Sequence, residues 1–171
     1  MQKILKVIIT IALFIISLLV QLFIFNNMNL LGVKPNILLI SIIVVGLYTN
    51  MYASTIYAFI LGIIVDLNFG SSGMFTISYT IIGMIIGFVG DDYMKENYLS
   101  IIILTALSVV IFEVIQYFQS MIIASNYISI LFLLKQLILS ILLNVALVFI
   151  LCFTFGKLLQ YTDKKQNRIY W

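Results

Sequence analysis

No gap between the apolar runs of this chain is long enough to house a folded unit, so whatever it builds is built from the runs themselves. Of its 171 residues 64% are apolar and only 9% are charged. A soluble domain of this size needs far more charge to cover its surface, and the composition specifies a polytopic membrane protein with a single domain. The first run, Val7 to Phe25, follows Lys3 and Lys6. It is too long for the apolar stretch of a cleaved signal peptide and suits the roughly 20 residues that cross about 30 Å of hydrocarbon. Phe25-Asn26-Asn27-Met28 is a poor cleavage site. The run reads as a retained first helix.

Asn26 to Asn36 is a polar connection, and Pro35 suits the first turn of a helix, where its missing N–H is not needed. Further helices are expected over about residues 37–48, 52–65, 74–89, 98–123 and 134–155, followed by a basic tail over 157–171. Gly46, Thr49 and Asn50 cluster where a turn is needed, so 37–65 reads as a hairpin of two short helices rather than one tilted span. Short helices of this kind need neighbouring helices to bury them. The fold class is therefore an all-α bundle of six transmembrane helices. Six crossings put both ends on one side. With the ends in the cytoplasm, Lys3, Lys6, Lys95, Lys157, Lys164, Lys165 and Arg168 lie inside, and Lys34 and Lys135 lie outside. The positive-inside rule favours this orientation.

The chain contains no histidine, and Cys152 is its one cysteine. An internal disulfide and the usual His/Cys zinc sites are excluded, and no cofactor is expected. Asp91 and Asp92 adjoin Lys95 and Glu96 in what reads as a solvated loop. Metal-dependent phosphoryl transfer needs more carboxylates at fixed spacing. The tail carries Tyr161, Tyr170 and Trp171 among its basic residues, a composition suited to anionic lipid headgroups of the bilayer. Nothing suggests nucleic-acid binding.

The most informative stretch runs Gly62-x-x-x-Asp66-Leu67-x-x-Gly70-x-x-Gly73, then Tyr79-x-x-x-Gly83-x-x-x-Gly87. Gly83 and Gly87 are one turn apart on one helix face and let another backbone approach, within this chain or across a dimer. Gly70 and Gly73 suit positive φ in a tight turn. Asp66 is expected to pin that turn, accepting backbone N–H bonds from residues 68–73 or from the start of the next helix; contact with a partner is the sharper alternative.

Glu113 is a second acid, placed well inside an apolar helix, where an ionised carboxylate usually faces the bundle interior. Gln116, Tyr117 and Ser120 follow on the same face, and Gln136, Ser140 and Asn144 form a stripe on the last helix. If the stripes face each other they make an interhelical hydrogen-bonded seam. Partner-helix contact and a small-molecule pocket are the alternatives. Lys135 either reaches back to Glu113 or snorkels outward.

Length, helix count, the Val33-Lys34-Pro35-Asn36-Ile37 segment and the glycine–acid spacing together resemble the MreD family of the bacterial rod-shape system. The resemblance implies a non-enzymatic subunit of the cytoplasmic-membrane elongation machinery. It would work with MreC, the actin-like MreB, a RodA-type glycosyltransferase and a class B transpeptidase, helping MreC to organise peptidoglycan synthesis. Gly62, Asp66, Gly70, Gly73, Gly83 and Gly87 are the residues expected to carry that role structurally. The family is also similar in architecture to the substrate-binding components of energy-coupling-factor vitamin transporters, which supplies a second functional reading. Ala12 and Ser17 on the first helix give that reading little support.

Overall fold

A twelve-residue helix buried on every side organises the bundle. The computed structural model describes residues 2–25, 33–69, 73–90, 97–124 and 130–159, and within them the chain is helical, with no β-strand. The elements are α1 (Gln2–Val20, continued by a π-helical turn Gln21–Phe25), α2 (Ile37–Tyr48), α3 (Met51–Phe69), α4 (Met74–Val89), α5 (Tyr98–Ala124) and α6 (Ile130–Leu151, continued by a π-helical turn Cys152–Gly156).

Every residue of α2 is buried. Its sequence, Ile-Leu-Leu-Ile-Ser-Ile-Ile-Val-Val-Gly-Leu-Tyr, has no polar face, and a helix apolar all round is stable only when covered all round. At 1.5 Å per residue it is about 18 Å long, well short of the hydrocarbon thickness. The cover comes from α1, α3, α4, α5 and α6, all of which pack against it. The Ser41 hydroxyl in its middle donates to the Leu38 carbonyl at 2.7 Å and accepts from the Tyr57 hydroxyl at 3.1 Å, so that buried group is satisfied.

The N-terminus of α2 is tied by amide side chains. Asn36 caps the N-terminus, its Oδ1 accepting from the Leu39 N–H at 3.0 Å. Gln21, in the π turn of α1, accepts from the Ile37 N–H at 2.9 Å and donates to the Pro35 carbonyl at 3.3 Å. At the far end Thr49 is extended, and Asn50 opens α3 by accepting from the Ala53 N–H at 2.9 Å. The two-residue break at Thr49-Asn50 separates two helices rather than bending one.

Helices α3 and α4 form a tight antiparallel hairpin. A Cβ on Gly83 would lie 2.6 Å from the Ala58 Cβ and 3.0 Å from the Ser54 carbonyl oxygen, and one on Gly87 would lie 2.7 Å from the Met51 Cα. At the opposite end Gly62 abuts the Thr76 backbone. The glycine face is thus used within this chain.

Several elements are longer than their expected spans. Helix α1 begins at Gln2 rather than Val7, and α6 begins at Ile130 rather than Leu134. Helix α3 runs to Phe69 rather than Val65, because Asp66 has partners on α4 and Asn68 donates back to the Ile64 carbonyl at 2.7 Å. Lys157 to Leu159, expected in the tail, remain helical, and the Lys157 ammonium lies 3.7 Å from the Phe153 ring centroid. Gly70, Asp91, Asp92, Lys95, Glu96 and the tail from 160 onward lie outside the described residues.

Among the described residues four segments, Ile4–Ile24, Met51–Phe69, Tyr98–Met121 and Leu134–Leu159, are long and apolar enough to cross a membrane, whereas α2 and α4 are shorter. Large apolar side chains such as Ile4, Phe23, Ile103 and Phe153 are exposed on the outside of the bundle, as expected where lipid rather than water is the solvent.

Candidate functional site

Two polar constructions lie at the end of the bundle where α3 turns into α4 and α2 begins. The first is built on Asp66. Helix α4 is capped by Gly73, which has φ +82° and no side chain to accept from the first free N–H groups. Asp66 supplies the missing acceptor from the preceding helix. Its Oδ1 accepts from the Phe75 N–H at 3.2 Å, and its Oδ2 accepts from the Thr76 N–H at 2.8 Å and from the Thr76 hydroxyl. A carboxylate at a helix N-terminus is also favoured by the helix dipole. Of the two sets of donors open to this acid, the start of α4 supplies these three bonds.

The second construction centres on Glu113 of α5. Its Oε1 accepts from the Ser140 hydroxyl at 2.8 Å and its Oε2 from the Gln136 amide at 3.3 Å, both on α6. Asn144, one turn on, donates to the Ser140 carbonyl at 2.8 Å and accepts from the Asn36 N–H at 3.3 Å. Asn36 in turn accepts from the Tyr79 hydroxyl of α4 at 3.1 Å. One polar chain therefore links α5, α6, the entry to α2, and α4.

Not every residue of the expected seam joins it. Ser120 donates to the Tyr117 carbonyl of its own helix at 2.8 Å, and the buried Gln116 Nε2 has no hydrogen-bond partner. Lys135 is exposed, and the two groups bonded to Glu113 are the neutral Ser140 and Gln136. Three polar participants, Gln21, Asn36 and Tyr79, are absent from the expected set. For Asn36 the signal was its position directly before an apolar helix, and for Gln21 it was a lone amide at the end of an apolar span.

Between these constructions lies a cavity of about 400 Å³. Glu113, Gln116, Gln136, Ser140 and Asn144 line its polar side, together with Gln21, Lys34 and Asn36 from the approach to α2. Phe75, Tyr79 and Phe112 form an aromatic wall, with the Tyr79 and Phe112 rings stacked at a centroid distance of 5.6 Å. Among the described residues no group of three or more His, Cys, Asp or Glu side chains is placed to hold a metal ion.

A densely packed helical bundle with four membrane-length apolar spans and a polar pocket set into one end defines a multi-pass membrane protein. Residues 1–162 match the family model of the rod shape-determining protein MreD, and the chain belongs to that family. Searches of the curated proteins and of the solved structures gave no match.

Proposed function

We propose that this protein is a non-enzymatic scaffold subunit of the bacterial elongation machinery. It holds an MreC-like single-span partner and thereby helps to position peptidoglycan synthases. MreB, a RodA-type glycosyltransferase and a class B transpeptidase belong to the same assembly. The observation that carries this reading is the family match over residues 1–162. The architecture supports it: α2 is clamped at its N-terminus by amide side chains, and the α3–α4 hairpin is locked by glycine contacts and by Asp66. Such a body suits a rigid docking platform. In this reading the chain crosses the cytoplasmic membrane six times with both termini in the cytoplasm, the short α2 and α4 completing their crossings within the shelter of their neighbours. The pocket then opens on the outer side, and the glycine and acid residues Gly62, Asp66, Gly70, Gly73, Gly83 and Gly87 hold the platform in shape.

The cavity favours a second reading, a substrate-binding component of a vitamin-type energy-coupling-factor transporter. Co-purification of a tagged copy from its native cells in mild detergent separates the two. Recovery of a single-span coiled-coil protein with wall synthases supports the scaffold. Paired ATPases with a coupling membrane subunit overturn it in favour of the transporter.

A further inference from the structure

We infer that the cavity beside Glu113 is a recognition site for a hydrogen-bonding nitrogen cation, an ammonium or a guanidinium. The source is either a free small amine or a lysine or arginine side chain of a membrane-anchored partner; the latter source rests on the scaffold reading above.

Three observations converge. Glu113 lies well inside a membrane-length span, where a carboxylate stripped of water is expensive without a counter-charge. Its hydrogen-bond partners among the described residues are two neutral donors, Ser140 and Gln136, one on each oxygen, and the cation of this chain that lines the same cavity is the exposed Lys34. A carboxylate offers about four acceptor positions, so this one retains capacity for a further donor. Gln116 follows one helical turn later and lines the same cavity, with its buried amide nitrogen unpartnered. Neighbouring side chains at this spacing have Cβ atoms about 5–6 Å apart. A ligand that satisfies both residues carries a hydrogen-bond acceptor a few bonds from its cationic nitrogen. The third element is the wall of Phe75, Tyr79 and Phe112, side chains of the type that attracts a desolvated cation.

The scaffolding around Glu113 also keeps it in place without the ligand. Ser140 is held by Asn144 from its own helix, at 2.8 Å to the carbonyl and 3.3 Å to the hydroxyl oxygen. The acceptor is therefore preorganised, and a cation entering the cavity meets a fixed carboxylate.

The test uses the full chain in nanodiscs of phosphatidylcholine and phosphatidylglycerol. The probes are Nα-acetyl-lysine methylamide and its uncharged counterpart Nα-acetyl-norleucine methylamide, with binding followed by saturation-transfer NMR. The lysine probe is expected to bind and the norleucine probe to fail. Glu113→Gln, which preserves shape, should weaken the lysine probe about ten- to a hundredfold, the range for a hydrogen bond to a charged group. Equal binding of the two probes, or no lysine binding at about 10 mM, overturns the inference, as does an unchanged affinity in a folded Glu113→Gln protein. The probe comparison on the unaltered chain decides the matter even if that variant does not fold. In cells, loss of the co-purified partner in Glu113→Lys, restored by a Lys→Glu or Arg→Glu change in that partner, assigns the cation to the partner. Retention of the partner in Glu113→Lys assigns it to a free amine. Failure of the probes leaves the co-purification test standing, so the two readings fail separately.

Discussion

Asp66 holds Thr76 twice, through the backbone N–H at 2.8 Å and through the hydroxyl, across the turn that joins α3 to α4. The acid caps a helix whose own cap residue, Gly73, has no side chain to offer. Removing an N-cap acceptor costs about 0.5–2 kcal/mol, and a charge-assisted bond is worth more than a neutral one. Asp66→Ala should lower stability by about 1–3 kcal/mol. Asp66→Asn, which keeps one acceptor oxygen, should lose about half as much. Reversible unfolding in mixed detergent micelles measures both: no loss in Asp66→Asn would show that the negative charge contributes nothing, and equal losses in the two variants would show that a neutral acceptor oxygen cannot replace the carboxylate.

The glycines of the same hairpin are separable by mechanism. Gly83 is closed in by Ala58 and by the Ser54 carbonyl, so even Gly83→Ala must move backbone, and it should cost about 1–3 kcal/mol through overpacking. Gly73 has open space around its Cβ position but a left-handed backbone, and Gly73→Ala should cost about 1–2 kcal/mol through strain alone. Enlarging the side chain further separates the two. Gly83→Leu should abolish recovery of folded protein, whereas Gly73→Leu should behave like Gly73→Ala. Melting curves and monodisperse yield in detergent read the difference, and parity between Gly83→Leu and Gly73→Leu would refute the packing account.

The Asn36 side chain accepts from the Leu39 N–H and the Tyr79 hydroxyl while its own N–H donates to Asn144. Asn36→Ala removes the cap and strands the hydroxyl of Tyr79, which is 1% exposed. Its expected cost is about 2–4 kcal/mol, the sum of a lost cap and one buried unsatisfied hydroxyl. Adding Tyr79→Phe should return about 1–3 kcal/mol of that loss, because the stranded group is then gone. No recovery in the double variant would mean that the Tyr79 bond is not made.

These residues also mark how far the sequence is legible. The break at Thr49-Asn50 can be read locally, because glycine, threonine and asparagine cluster between two apolar runs. Glu113 can be placed against Ser140 and Gln136 because both stripes follow helical spacing, and a polar face in a membrane helix turns inward. The bond from Asn36 to Asn144 spans 108 residues of chain, and no local pattern encodes it. Gln21 stands where an apolar run becomes a π turn, a change of winding that its neighbours Leu22, Phe23 and Ile24 do not announce. The cavity is harder still, since a void is a property of six packed surfaces and not of any one of them.

Glu113 and Ser140 join α5 to α6 through a hydrogen bond of 2.8 Å, and their coupling can be measured directly. Interhelical hydrogen bonds in membranes contribute about 0.6–2 kcal/mol, because the separated helices also find polar partners. A double-mutant cycle with Glu113→Ala and Ser140→Ala should therefore give a coupling of about 0.6–2 kcal/mol. Glu113→Leu offers a second handle. It removes an expensive charge but leaves Ser140 and Gln136 without their acceptor, so it should shift stability by less than about 2 kcal/mol in either direction. A coupling near zero, together with a Glu113→Leu protein more stable than the original, would mean that this acid is kept at a net cost to the fold. The reason for its presence would then lie in what the cavity receives.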